Sequence, residues 1–405
     1  MCALFLLAGY LLKAQCLQPW VDFRQYERLC YNDIQPLYGL RGVAQGTFPY
    51  IGGSLHDGEL ANGAIEYPVL TGVFMWASGL VVDDANRYLT VSALLLAPFG
   101  LLAAYHLGRM AGRRALLWAA APALILYSFH NWDLLVVAAF CAAAYSWTRG
   151  SPGWAAAWLG VGGALKMYPL FFLAPLALER WRARDRRGAV ASVGVGAATF
   201  AALNLSFVVR NFEGWVATYR FHESRPADFN SIWHWAAPHL SIGGLNLLTA
   251  ALTAGSFALA LGVGWWRARR EGGYPFLQVS GAMLAAFLLW NKVHSPQYAL
   301  WIMPFFALLR VGVLLWAAYS VADMLFYAGI FRWFYDTYAL GVDDTLAKQV
   351  MLVALWGRAA LLGAVFAIFL RARPAPPEAD LLSAPLPSHP PPIVERVGES
   401  VPAPS

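Results

Sequence analysis

The run from Ala115 to Trp147 reads A-L-L-W-A-A-A-P-A-L-I-L-Y-S-F-H-N-W-D-L-L-V-V-A-A-F-C-A-A-A-Y-S-W. Two apolar limbs, 115–129 and 134–147, flank the polar tip His130–Asp133. Arg109, Arg113 and Arg114 precede the first limb, and Arg149 follows the second. Short Arg-rich loops mark the cytoplasmic side of a membrane, so the tip between them faces outward. Each limb then crosses once, yet each is shorter than the ~20 residues a full span needs. Irregular backbone at membrane depth is tolerated only where it is buried in protein or lines a cavity. The tip therefore borders an outward-facing cavity.

The pattern repeats. Segments 153–165 and 169–179 flank a second tip, L-K-M-Y-P, between Arg149 and the basic run 180–187. Further basic loops lie at Arg267, Arg269 and Arg270, and at Arg310. The polar stretches 210–239, 291–298 and 332–348 alternate with them. Of the 405 residues, 59% are hydrophobic and only 13% charged, where a soluble domain carries roughly a quarter; mean hydropathy is +0.50. The apolar runs are continuous, not alternating, which argues against a β-barrel. These features predict an all-α polytopic membrane protein of about twelve transmembrane helices, with both termini cytoplasmic. Its expected place is the plasma membrane, its partner the bilayer and its state a monomer. The net charge of +6 serves orientation, and no nucleic-acid partner is expected.

Residues 1–373 form the membrane domain. It has a large first outer loop, 14–88, and a second, 210–243. Parity makes the apolar stretch 67–82 a re-entrant or interfacial helix. The first helix is brief enough to admit a start upstream of Met1. Residues 374–405, rich in Pro, read as a disordered cytoplasmic tail. Cys2 and Cys141 lie in apolar runs, whereas Cys16 and Cys30 flank an outer stretch where a disulfide is chemically permitted.

Ionisable residues at membrane depth default to function. Lys166, followed by Tyr168, is placed to bind a phosphate or to snorkel to the interface. Asp133, beside His130 and Asn131, reads as a helix N-cap, a partner for Lys166 or a metal ligand. No His-x-x-x-His or Cys pair supports a metal site, and none is expected. N-K-V-H-S-P-Q-Y (291–298) offers Lys292, His294, Gln297 and Tyr298 as donors for phosphate and hydroxyl groups. In 210–243, Arg225, Asp228, Asn230, Trp233 and Trp235 suit either a pyranose ring or an interfacial belt. In C-Y-N-D-I-Q-P-L-Y-G-L-R-G (30–42), Asp33 stands among Tyr31, Asn32, Pro36 and Tyr38. It reads as a general base on a hydroxyl, an ion-pair partner of Arg41 or an Asx-turn.

Six motifs then fall in one order: C-Y-N-D-I-Q-P-L-Y; P-Y-I-G-G with E-Y-P-V-L-T-G; H-N-W-D-L-L; G-A-L-K-M-Y-P-L; S-R-P-A-D-F-N-S-I-W; and N-K-V-H-S-P-Q-Y. Over roughly residues 16–370 the chain resembles glycosyltransferase family 87, polyprenyl-phosphate-mannose-dependent mannosyltransferases of the GT-C superfamily. The resemblance implies a GT-C-like bundle with short broken helices around an outward-facing cavity. It implies transfer of mannose from a polyprenyl-phosphate carrier to a glycolipid or glycan hydroxyl, inverting and α-1,2, with no cofactor. Asp33 takes the place of the base, and Lys166, Lys292, His294 and Arg225 are expected on the donor phosphate. Tyr38, Arg41, Glu66, Tyr67, His130, Asn131, Asp133, Tyr168, Asp228, Trp233, Gln297 and Tyr298 are expected around sugar and acceptor. Asn32, where relatives commonly carry Ser, and His130, where a small or acidic residue is common, depart from the pattern. The competing reading is a transporter or flippase of a lipid-linked sugar, which broken helices and buried charge also suit.

Overall fold

The computed structural model describes residues 1–375. It is mostly helical, from Cys2–Ala14 to Leu346–Arg371. Among the described residues, five helical segments are long and apolar enough to cross a membrane: Ala85–Ala119, Arg186–Arg210, Ile242–Glu271, Val313–Leu340 and Leu346–Arg371. The other expected crossings are shorter or broken, so helix length does not yield twelve. Cys2–Ala14, Asp133–Thr148, Pro152–Leu165, Leu173–Arg182, Phe276–Trp290 and Ala299–Leu308 are unbroken but short. The 115–129 limb is two pieces, Leu116–Ala119 and Pro122–Tyr127, parted where Pro122 has no N–H to donate. Its first piece doubles back at Gly112, whose φ is +53, so Trp118 Nε1 reaches the Gly100 carbonyl at 3.3 Å.

Burial explains the short helices. Nearly every residue from Asp133 to Ala144 is buried, as are most of Phe276–Leu288 and all of Ala299–Leu308. A helix apolar on all sides belongs in a core, and these three form it. The long helices surround them, exposing side chains such as Leu247, Leu314 and Val353. At one end of the bundle, basic residues cap carbonyls that helices leave open. Arg114 donates to Phe306, Ala307, Leu309 and Val311. Arg267 donates to Leu370 and Ala372. Pro374 and Ala375 join there by a bridge to Leu309 and a hydrogen bond to Leu308. The rest of the Pro-rich tail lies outside the described residues.

At the other end the 14–88 segment folds over the bundle. The Cys16–Cys30 disulfide closes its start, with Cα atoms 6.1 Å apart. A two-stranded hairpin, Ser54–His56 with Glu59–Ala61, departs from the all-helical expectation. Its turn is Asp57–Gly58, both at positive φ; Asp-Gly is the sequence signal for such a turn. The apolar stretch 67–82 becomes the helix Val69–Gly79. Thr71 Oγ1 anchors it to the Leu165 carbonyl at 2.8 Å. Gly72 lets Tyr50 pass close by, since a Cβ there would meet the phenol oxygen at 2.0 Å. That phenol donates to the carbonyls of Tyr67 and Pro68.

The cysteines make this arrangement testable. In unfolded, non-reduced protein a thiol reagent is expected to modify Cys2 and Cys141 only. Opening the bridge by Cys16→Ser removes a loop closure worth about 3 kcal/mol, which a lowered Tm reports. Labelling of all four cysteines without reductant would contradict the bridge.

Candidate active site

A cavity of about 760 Å³ opens at the end of the bundle opposite the basic caps. Asp33 stands on its wall, and four features hold it there. Asn32 Oδ1 accepts the Gln35 N–H at 2.9 Å, starting the helix Ile34–Leu40 directly behind it. The Asp33 N–H donates to the His130 carbonyl at 2.7 Å. Its Oδ1 accepts the Tyr31 hydroxyl at 3.0 Å and its Oδ2 the Asn131 amide at 2.9 Å. Asn131 also donates to the Tyr67 hydroxyl at 2.6 Å, which fixes the amide's orientation. Burial pushes the Asp33 carboxyl up to about 6, against the two hydrogen bonds that favour its charge. Among the described residues no cation lies within 4.0 Å of it.

Cations line the same cavity. Lys166 is where the helix Pro152–Leu165 unwinds. Gly162 and Gly163 permit this, because Pro169 and Leu170 fold back into the space their Cβ atoms would fill. The ammonium sits 3.5 Å from Asp133 Oδ1 and over the rings of Tyr67, Tyr298 and Trp301 at 4.6–5.6 Å. Asp133 is fully buried behind it and accepts the Trp301 indole at 2.8 Å. Lys292 donates to the Glu223 and Arg225 carbonyls at 2.8 and 2.7 Å, and the Asp228 N–H returns to the Lys292 carbonyl at 2.9 Å. The 223–228 stretch is thereby clamped to 291–298, bringing Arg225 and Lys292 to the same wall. Burial first, then the Arg225 guanidinium, pulls the Lys292 ammonium down. Arg225 has no carboxylate within 4.0 Å among the described residues.

Of the residues expected at the site, Asp33, Glu66, Tyr67, His130, Lys166, Tyr168, Arg225, Asp228, Lys292, Gln297 and Tyr298 line the cavity. Others do not. His294 is buried away from it, ring against Tyr298 and Nε2 unpartnered. Trp233 donates to the Trp290 carbonyl and packs on that indole. Tyr38 turns to the Val82 carbonyl and the Tyr88 ring. Arg41 pairs with Glu66 at 2.7 Å, not with Asp33. Asn131 and Asp133 act from behind the wall. Asp133 is not the expected N-cap: Trp132 holds that position, and the carboxylate makes no capping bond. The Asx-type cap near Asp33 likewise belongs to Asn32.

Two features were missed. Lys13 is wholly buried at the end of the first helix, bonded to Tyr31, Tyr327 and His130. Its signal was a lone Lys at the outward end of an apolar helix, against the charge bias of the loops. Asp323 and Arg358 form an ion pair of 3.2 Å at about 2% exposure, and Arg358 donates to the Asn230 carbonyl at 3.2 Å. One charge in each of two apolar helices was the readable sign.

Chemically, the arrangement offers a fixed carboxylate without a directly paired cation and several cations on the lining of one cavity. It suits deprotonation and anion binding in the same space. Comparison with curated proteins gave no match. The model of glycosyltransferase family 87 matches residues 65–290, more than half of the chain. Asp33 and the 291–298 segment flank the matched stretch. The match makes the chain an enzyme, a membrane glycosyltransferase. The chain belongs to glycosyltransferase family 87.

Proposed function

We propose that the enzyme moves a hexose, mannose, from a polyprenyl-phosphate carrier to a hydroxyl of a glycolipid or glycan at the outer face of the plasma membrane. The observation that carries this reading is Asp33, a half-buried carboxylate on the cavity wall with two neutral donors and no paired cation. Of the other acids on the wall, Glu66 is held by Arg41. The gathering of basic caps at the end opposite the cavity supports the outward orientation through the positive-inside bias.

The acceptor hydroxyl lies against Asp33, which takes its proton as the acceptor oxygen attacks the anomeric carbon. The bond from that carbon to the phosphate oxygen breaks, and its electron pair leaves with the lipid phosphate. One displacement inverts the anomeric centre, from a β-linked donor to an α-linked product, α-1,2 in this proposal. No covalent intermediate is needed. Arg225 and Lys292 meet the phosphate, whose charge grows as the bond breaks, and a preorganised cationic wall stabilises that growth. Lys166, already matched by Asp133, adds a hydrogen-bond donor without net charge. His294 has no part, since it does not reach the cavity.

Three outcomes follow. Asp33→Asn is isosteric, so protein level persists while transfer from polyprenyl-phosphate-mannose in membranes falls by about 10²–10⁴-fold; wild-type transfer would remove Asp33 from the reaction. The base must be ionised to act, so with its carboxyl near 6 the saturated rate is flat above neutrality and falls as pH drops through about 6. A rate level down to pH 4 would contradict a base so placed. Arg225→Ala strips a charge-assisted contact of about 1.5–3 kcal/mol, raising the donor KM about tenfold or more; an unchanged KM would take Arg225 off the phosphate.

A further inference from the structure

Lys13 is 0% exposed and has no carboxylate within 4.0 Å among the described residues. An uncompensated charge in such a place is costly, and an apolar side chain would fill the same space without that penalty. Its surroundings explain its presence. An ammonium has three N–H groups, and three acceptors face it: the Tyr31 carbonyl at 2.8 Å, the Tyr327 hydroxyl at 2.7 Å and His130 Nδ1 at 3.5 Å. Tyr327 gives its own proton to the Leu29 carbonyl at 2.6 Å, so toward Lys13 it can only accept.

Tyr31 and His130 are the two residues between which Asp33 is suspended. One supplies the hydroxyl on Oδ1, the other the carbonyl that receives the Asp33 N–H. We propose that Lys13 is a positioning residue for Asp33, its ammonium tying the 29–33 backbone and the 127–133 tip to the helix Val313–Leu340. This rests on the reading of Asp33 as the base. Where Lys13 donates in that contact, Nδ1 of His130 accepts and the ring proton sits on Nε2. His130 lines the cavity and in that form offers a hydrogen-bond donor to a bound sugar.

In its ammonium form Lys13 also bears on the charge of Asp33. From its own segment Asp33 faces Tyr26 and Tyr31; from the approach to Val69–Gly79, Glu66 and Tyr67; from the tip, the His130 carbonyl and Asn131. Lys166 and Lys13 are the cations that act on it. Lys166 is matched by Asp133, whereas Lys13 has no acid within 4.0 Å among the described residues. Its removal disfavours the ionised base.

The experiment measures label passing from polyprenyl-phosphate-mannose into extractable lipid, in membranes holding the full chain as wild type, Lys13→Met or Tyr327→Phe. Lys13→Met is expected to lower the saturated rate about 10- to 100-fold, as small displacements of a catalytic group do. Its donor KM should stay within about twofold, and the acid limb of the pH profile should move to higher pH, which looser packing alone would not cause. An unchanged rate and acid limb would overturn the inference. Where Lys13→Met fails to accumulate, Tyr327→Phe decides: it keeps the ammonium but removes one acceptor, so the rate falls several-fold with the acid limb in place. Wild-type kinetics from that variant would overturn it equally. Loss of transfer in Asp33→Asn beside wild-type behaviour in Lys13→Met sinks the positioning claim alone; activity in Asp33→Asn sinks the base itself.

Discussion

The hydrogen bond from the Asp33 N–H to the His130 carbonyl, 2.7 Å long, is the join on which the site depends. It ties the 14–88 segment, which supplies the acid, to the tip of a helical hairpin that stops short inside the bundle. Neither piece makes a site alone. The tip's amide, Asn131, bonds both the acid and Tyr67, so the same few atoms orient the carboxylate and fix the cavity wall beside it. A helix long enough to cross in one piece would bury these polar groups in apolar surroundings. The break at Pro122 and the turn at His130–Asp133 bring them to the edge of the cavity.

Charge is apportioned along the same lines. Acid and cations line one cavity without pairing directly, each held by its own partners. Asp33 is bonded by neutral donors, which restrain it without neutralising it. Lys166 is matched by the buried Asp133 and framed by three rings, so its desolvation is tolerated. Arg225 and Lys292 reach the wall because 223–228 is clamped to 291–298. That clamp leaves the Arg225 guanidinium without an acid, the condition an anionic leaving group needs.

Much of this was legible in the sequence. Arg-rich loops and short apolar limbs placed H-N-W-D and L-K-M-Y-P at a cavity, and His130, Lys166 and Tyr168 line one. Cys16 and Cys30, which the sequence permits to pair, are bonded. What periodicity does not encode is the direction in which a loop side chain points. His294 and Lys292 are two residues apart, yet only Lys292 reaches the cavity; regular extended backbone would send both to one side, so the irregular course of 291–295 decides it. Asp133 reads as a cap, a metal ligand or a partner of Lys166; the pairing with Lys166 is the one found, while its second partner, Trp301, is distant in sequence. Lys13, Asp323 and Arg358 were hidden for the opposite reason. Each is a single charge in an apolar helix, and its partner is set by packing between helices far apart in the chain.

The account reduces to one carboxylate acting in one displacement. The most direct measurement is the anomeric configuration of the sugar in the isolated product, read by NMR and compared with that of the donor. A β-linked donor giving an α-linked product is the expected result. Retention of configuration would require a double displacement or a same-face attack and would contradict the mechanism.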